Sequence, residues 1–463
     1  MAGLAVVAAL VTFVLLVLCR VPVAFSLLVA GASGLILQEG PRTAGAVLSG
    51  QPFQSVFNYS LLVVPLFIAM GVYVREAGVA QAIYKFLSRV LGKLPGGLAV
   101  ATVFAGAGFA AVSGSSTATA ATLGKIGIQE MLSHGYKKSN AAGVVAAAGT
   151  LGILIPPSIA LVLYGMITGE SIGMLLLAGI LPGILSAVML AATAVVVEAR
   201  HGRHRPALVG VEPAGTGFLG RPSNGEEQPR WNSEDAVRPG QQMGGIAAVG
   251  IIAALFLVTM GGIYLGVMTV TESAAMAAVL ALGVYVTVLI RWHRTSMWLK
   301  LSNTVRETVT LTTMIFAIFI GAGVFNYLLV SGGIPQSVSA VVSNLNVPPL
   351  VVVGLFLLLL VPLGMFLDGT AMMLIVAPLA HPIVVELGYS GIWFAILFVI
   401  MVEFGLLTPP VGLNAYVVAG VTDGLSVGTV FRGVGPYLLA QVAVIGVLFI
   451  FPEIVTWLPS SQS

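Results

Sequence analysis

Two short runs of hydroxyl-bearing and glycine residues stand inside otherwise uncharged, apolar stretches. The first, Ser113-Gly114-Ser115-Ser116-Thr117, interrupts a segment (97–131) that holds no charge before Lys125. The second, Asp368-Gly369-Thr370, interrupts 350–385. Each is followed by another kind of break. In the first half this is Gly149-Thr150-Leu151-Gly152 with Pro156-Pro157, inside 139–168. In the second it is Gly405-Leu406-Leu407-Thr408-Pro409-Pro410, with Asn414 just beyond, inside 391–420. A helix broken in an apolar medium leaves N–H and C=O groups without partners, so such breaks persist only where protein, water or a ligand supplies them. Freed carbonyls and the C-terminal ends of half-helices suit Na⁺, and the N-terminal ends suit carboxylates. Hydroxyls add neutral oxygen ligands. The expected Na⁺ ligands are therefore Ser113, Ser115, Ser116, Gly149, Thr150 and Gly152 in the first half and Asp368, Thr370, Gly405 and Thr408 in the second, one cation site per half. Thr117, Ser158 and Asn414 are expected to face a substrate.

A structural reading competes at each position. Small hydroxyl residues and glycines are common at helix contacts in membranes, and Pro-Pro alone often marks only a kink. Clustering at a break in an uncharged segment, and recurrence at matching places, favour the ligand reading. Asp368 and Glu403 are ionisable residues in apolar segments, where function is the default. Glu272, after Thr269-Val270-Thr271, reads as a helix cap. His381, near the end of a hairpin arm, reads as interfacial. The breaks hold no Arg or Lys. An anionic substrate would rely there on half-helix N-termini, hydroxyls, amides and bound cations.

The elements that must position these residues follow from composition and run length. Charged residues are 8% of the 463 and the hydrophobic set 58%, against about 25% charged in a soluble domain. Apolar runs of about twenty residues, without alternation, exclude a β-barrel and give helices. Spans are expected at about 2–19, 22–38, 60–74 and 172–198, then 246–266, 272–290, 307–330 and 433–452. Stretches 75–94 (with Arg75, Lys85, Arg89 and Lys93) and 331–347 read as interfacial helices. Each half of 97–131 and of 350–385 is too short to cross a roughly 30 Å hydrocarbon core, so both read as re-entrant hairpins. Residues 199–245, rich in Pro, Gly and charge, read as a solvated and disordered linker. The first run ends at Arg20 and another follows at once, so it reads as a retained helix and not a cleaved leader. The net charge of +3 makes no nucleic-acid case, and the lone Cys19 excludes a disulfide or Cys-cluster metal site. No transition metal and no cofactor is expected beyond Na⁺ as coupling ion.

The halves echo one another. Leu154-Ile155-Pro156-Pro157 matches Leu407-Thr408-Pro409-Pro410, Gly114-Ser115 matches Gly369-Thr370, and Phe67-Ile68-Ala69-Met70-Gly71 resembles Phe319-Ile320-Gly321-Ala322-Gly323. The expected domains are a first repeat (1–198), a polar cytoplasmic linker (199–245) and a second repeat (246–463). Each repeat holds scaffold spans (2–94; 246–347), a hairpin with a broken helix (97–168; 348–420) and a closing span (172–198; 433–452). Arg20, the basic residues of 75–93, Lys137-Lys138, the arginines of 200–205, and Arg291, Arg294 and Lys300 should be cytoplasmic. That places both termini outside and the halves in opposite orientations, the first hairpin opening to the cytoplasm and the second outward. The fold class is an all-α polytopic membrane protein, an inverted repeat with two re-entrant hairpins and two discontinuous helices. Paired breaks of this kind point to a midplane transport site.

The motifs then resemble a family. Val64-Pro65-Leu66-Phe67-Ile68, Ser113 to Ala121, Gly149 to Ser158 and Gly405 to Asn414 look like the large, DctM-type permease subunit of TRAP (tripartite ATP-independent periplasmic) transporters. The resemblance covers all but the linker. It implies an elevator fold of the ion-transporter superfamily, working with a small four-helix membrane subunit as a separate chain and a periplasmic substrate-binding protein. It also implies Na⁺-driven import of an organic acid or related small polar solute across a bacterial inner membrane. Two features depart from the family pattern. Val270 stands where a proline usually follows Thr269, and the central connection is longer.

Rival readings are a stand-alone carboxylate carrier of the same superfamily, an intramembrane serine enzyme and a structural scaffold. The enzyme would use the Ser113–Ser116 run with Asp368 or His381. It lacks a base at helical spacing and leaves the duplicated Pro-Pro breaks unexplained. A scaffold would have no reason to break uncharged segments twice in register.

Overall fold

The computed structural model describes residues 2–94, 96–200, 243–344 and 347–461, and no strand occurs among them. The expected linker falls largely outside the described residues. The first half runs α1 (Ala2–Leu18), α2 (Val23–Glu39), α3 (Pro41–Val56), α4 (Val63–Glu76), α5 (Val79–Leu91), α6 (Gly97–Ser113), α7 (Ser116–Ser133), α8 (Lys138–Gly149), α9 (Ile159–Thr168), α10 (Ile172–Ala178) and α11 (Ile180–Arg200). The second runs α12 (Gly245–Phe256), α13 (Gly262–Tyr264), α14 (Val270–Trp292), α15 (Met297–Ser331), α16 (Ile334–Asn344), α17 (Pro349–Phe366), α18 (Gly369–Glu386), α19 (Gly391–Leu407), α20 (Leu413–Gly420), α21 (Val427–Ile450) and α22 (Glu453–Ser460). Seven helices among the described residues are long and apolar enough to cross a membrane, which fixes the membrane class.

Packing comes in mirrored pairs. α2 packs along α15 as α14 packs along α4. α6 packs on α8 as α17 packs on α19, and α9 packs on α18 as α20 packs on α7. This is what two copies of one plan produce when each hairpin touches the broken helix of the other half. The two central helices, α8 and α19, are enclosed almost all round: Asn140 to Gly149 are all buried, as are Trp393 to Glu403. A helix apolar on every face belongs in such a core. α8 achieves it with Gly, Ala and Val, which let backbones close in. A Cβ on Gly143 would overlap the Gly433 backbone of α21. α5 is amphipathic, with Val79, Ala80, Ile83 and Tyr84 buried against α6 and α12 while Lys85 and Arg89 stay exposed.

The structure departs from the sequence expectation in places. α3 was not expected; its polar sequence (with Arg42, Gln51 and Gln54) carries no apolar run, and it is held by packing on α2 and α15. α15 starts at Met297, ahead of the expected 307, because Lys300, Arg306 and Glu307 continue the helix beyond its apolar part. The span expected at 172–198 is two helices meeting at Gly179, where a Cβ would fall 2.6 Å from the Leu154 carbonyl oxygen. α21 begins at Val427, ahead of the expected 433, and α22 follows it.

If the α8–α21 contact holds the core together, Gly143→Leu should cost about 1–3 kcal/mol as an overpacked core does. Gly250→Leu, at a site with nothing within 4 Å of its Cβ position, should cost much less. Thermal unfolding of the two variants in detergent makes the comparison, and equal midpoints would contradict it.

Candidate functional site

The first tip forms because glycine can turn where other residues cannot. α6 ends at Ser113, and Gly114 follows at φ +59°. Ser115 then caps α7, its hydroxyl accepting from Ala118 N at 3.4 Å. Thr119 Oγ1 donates to the Ser115 carbonyl at 2.8 Å and lies 3.0 Å from Ser113 Oγ. At the second tip Asp368 caps α18, accepting from Thr370 N at 2.8 Å and Ala371 N at 3.3 Å. Both tips are therefore side-chain-capped helix N-termini, the first capped by a neutral hydroxyl and the second by the Asp368 carboxyl.

The breaks lie behind the tips. α8 passes through a 3₁₀ turn, Thr150–Ile153, into a cis Pro156-Pro157 bond before Ser158 caps α9. α19 ends at Leu407, and a cis Pro409-Pro410 bond and Gly412 (φ +55°) lead into α20. The first tip rests on its break: a Cβ on Gly152 would lie 2.5 Å from the Ser115 carbonyl oxygen, and one on Gly149 3.2 Å from that of Ser116. In the second half a Cβ on Gly405 would lie 2.7 Å from Gly364 Cα of α17.

Both tips open onto one cavity of about 630 Å³. Ser113, Ser115, Ser116 and Thr117 line it from one side, and Asp368, Thr370 and Glu403 from the other. α4 and α15 supply an apolar wall that includes Ile68, Val72, Leu311 and Ile315. The remaining expected residues stand behind this surface. Thr150 Oγ1 donates to the Ala147 carbonyl at 2.7 Å and accepts from Gln441 Nε2 at 2.9 Å. Thr408 Oγ1 donates to the Phe404 carbonyl at 2.6 Å. Ser158 donates to the Ile153 carbonyl and accepts from Leu161 N at 3.2 Å. These hydroxyls stitch the broken ends together. Gly149, Gly152 and Gly405 act through close approach, and Asn414 is fully buried.

Asn414 leads to the most unusual group in the site. Its Nδ2 donates to Glu403 Oε2 at 3.1 Å, and Ser116 stands against the same carboxyl. Glu403 is 2% exposed, and neither its Oε1 nor Asn414 Oδ1 has a hydrogen-bond partner. A buried carboxylate without a paired cation is strongly disfavoured, so this carboxyl is either protonated or met by a cation from outside the chain. A second feature was not legible as part of the site. Arg75, expected on an interfacial helix, ends α4 and lines the cavity, its Nη2 2.5 Å from Glu307 Oε2 and 3.1 Å from Glu76 Oε1. The breaks lack a basic residue, but the facing wall supplies one.

Two side readings resolve. Thr269 and Glu272 form a full capping box, so Glu272 is structural. His381 is buried within the bundle: Tyr164 Oη lies 3.1 Å from its Nδ1 and Glu170 Oε1 3.4 Å from its Nε2. Glu170, in the connection between α9 and α10, has its carboxyl raised above the usual range by burial. Cys19 is exposed.

Residues 10–454 match the family model described as tripartite ATP-independent periplasmic transporter, DctM component. The chain is 35% identical over 411 residues to the C4-dicarboxylate TRAP transporter large permease protein DctM of Pseudomonas aeruginosa, covering 88% of this chain and 86% of that one. It is 28% identical over 444 residues to the sialic acid TRAP transporter large permease protein SiaM of Vibrio cholerae, covering 96% of each. Its fold is similar to the crystal structure of the YdaH transporter of Alcanivorax borkumensis, at a TM-score of 0.61 and 16% identity over 90% of both chains.

Removing the carboxamide that holds Glu403 should be costly. Asn414→Leu is expected to lower stability by about 1–3 kcal/mol, the penalty for a buried polar group left without its partner. Glu403→Gln, which keeps the shape and removes the charge, should be tolerated. Unfolding midpoints of the two variants check this, and the opposite ranking would mean that the contact does not stabilise the fold.

Proposed function

Because the chain belongs to the tripartite ATP-independent periplasmic transporter family, as a large, DctM-type permease subunit of the membrane, we propose that it imports a small organic acid coupled to Na⁺. The reading rests on one observation: both hairpin tips and the Glu403 carboxyl, with one oxygen unpartnered, face a single cavity. Na⁺ binds where tip hydroxyls and carbonyls meet the broken helices, and it offsets the charge of Glu403 and Asp368. The substrate carboxylate then meets bound cation, the positive end of α7, and the Arg75 guanidinium on the opposite wall. Relatives named for C4-dicarboxylate and sialic acid both handle carboxylates, and the cavity volume suits a solute of that class.

The hairpins, the broken helices α8–α9 and α19–α20, and the flanking α11 and α21 form the moving body of an elevator. α1–α5 and α12–α16 form the scaffold. Substrate arrives from a periplasmic binding protein, and a small four-helix membrane subunit completes the assembly in a bacterial inner membrane, with both termini of this chain periplasmic. The linker of 199–245 then lies on the cytoplasmic side.

Thermal unfolding in NaCl and in KCl at equal ionic strength tests the coupling ion. A ligand that binds only the folded state raises the midpoint, by about 2.7 kcal/mol of added stability at a hundredfold excess over Kd. A saturable rise specific to Na⁺, reduced in Ser116→Ala and in Asp368→Asn, is expected. Identical curves in the two salts would rule out a folded-state Na⁺ site. In proteoliposomes holding the full assembly, Arg75→Gln should raise KM for a carboxylate substrate at least tenfold. An unchanged KM would remove Arg75 from substrate recognition.

A further inference from the structure

A second cavity, of about 460 Å³, lies far along the chain from the tips, where the ends of α8, α11 and α21 meet. Ser139 and Asn140 open α8, Arg200 closes α11, and Arg432 lies in the second turn of α21, so one end of this groove is polar and basic. Moving away from that end, Met189 and Val196 of α11 and Leu439 of α21 make it apolar. Met189 and Arg200 are eleven residues apart on one helix, about 16 Å along the axis at 1.5 Å per residue. The groove is thus a slot with a cationic head and a hydrocarbon tail.

The sequence explains why it is there. Gly433 lets α21 close directly on the start of α8, since a Cβ there would fall on the Ser139 carbonyl, and the slot opens beside this contact. Pro436 has no N–H to give the Arg432 carbonyl four residues earlier, which leaves an acceptor at the head of the slot. The N-cap of α8, Lys137, makes no side-chain capping bond, so the first N–H groups of that helix also face the head region without a cap. Neither Arg200 nor Arg432 makes a hydrogen bond or ion pair with another described residue. Glu198, two residues before Arg200 on α11, is buried, and its Oε1 accepts from Asn140 Nδ2 at 2.9 Å. The outer faces of α11 and α21 carry exposed Ile184, Val188, Val196, Leu439 and Val442, as a lipid-facing surface does. Lys137, Lys138, Arg200 and Arg432 lie at the same end, the cytoplasmic one by the distribution of basic residues.

We propose that this slot binds one anionic phospholipid of the cytoplasmic leaflet, its phosphodiester held by Arg200 and Arg432 and an acyl chain laid along Met189, Val196 and Leu439. Basic pockets between transmembrane helices on this side are suited to anionic headgroups. The Arg432 carbonyl accepts from a headgroup hydroxyl, and the Ser139 hydroxyl donates to phosphate. A free phosphate would use the head alone and leave the apolar length of the slot in contact with solvent or bulk lipid. The lipid would sit on the side of the hairpin bundle away from α4 and α15, where it does not obstruct the tip cavity. The site stands or falls independently of Na⁺ coupling.

The test uses the full chain purified in neutral detergent and three probes: dioleoylphosphatidylglycerol, dioleoylphosphatidylcholine and inorganic phosphate. Native mass spectrometry should show one phosphatidylglycerol retained at detergent-to-lipid ratios that strip phosphatidylcholine. The same lipid should raise the unfolding midpoint saturably. Arg200→Ala with Arg432→Ala should weaken both effects at least tenfold, while Arg291→Ala, a basic residue on α14 away from the slot, should leave them unchanged. Should the double variant fold poorly, Leu439→Trp fills the tail and is expected to displace the lipid with the arginines intact. Equal retention of the two lipids, or retention unaffected by both the arginine pair and Leu439→Trp, would overturn the proposal. So would inorganic phosphate alone reproducing the midpoint rise, since that would make the slot a site for soluble anions.

Discussion

Backbone polarity in an apolar interior governs this fold. Four segments stop being helical at depths where lipid offers no hydrogen bonds, and each unpaired N–H or C=O there costs free energy that some other group must recover. The structure meets this demand with small residues. Ser115 and Asp368 cap the two helices that leave the tips, and Ser158 caps α9. Thr150 and Thr408 donate to carbonyls one turn back. Gly149, Gly152 and Gly405 let neighbouring segments close in at the breaks. Among the buried side-chain atoms left without a partner, Glu403 Oε1 and Asn414 Oδ1 belong to one hydrogen-bonded pair beside the second break.

The mirrored packing follows from the same demand. A hairpin that reaches only part-way through a membrane cannot bury its own tip, so it leans on a broken helix, and the break needs the tip in return. With two copies in opposite senses, α9 supports α18 and α20 supports α7. Each half thereby completes the other, and the tips converge on one space. The wall facing that space is different in kind. α15 is long and unbroken, the shorter α4 packs beside it, and together they bring the Arg75–Glu307 pair to its rim.

Much of this was legible in the residues. Uncharged runs of twenty residues announce spanning helices, and their interruption by Ser-Gly-Ser-Ser or Asp-Gly-Thr announces tips, because those residue types turn chains and cap helices. The duplicated Pro-Pro placed the second breaks to within a residue or two. Less was legible where packing, not local sequence, decides. α3 has no apolar periodicity and is held by its neighbours. Thr150, Ser158 and Thr408 carry hydroxyls suited to ligands, but only the fold reveals that each also donates to a backbone carbonyl at its break. Arg75 looked like one basic residue among several on an interfacial stretch, and nothing near it in the chain points to Glu307, its partner from the other repeat. Glu403 carried the better signal, an acid in an apolar run, although its link to Asn414 depends on how the break folds back.

The convergence of the two tips on one cavity can be measured directly. On a Cys19→Ser background, Thr117→Cys and Thr370→Cys place one thiol on each tip, both lining the cavity, in an otherwise thiol-free chain. Short bifunctional thiol reagents should then join the two positions within one chain, giving a product that survives dilution and is absent from either single variant. Failure to cross-link, with both thiols shown to react singly, would mean that the tips do not share a cavity, and the transport site assigned here would have to be abandoned.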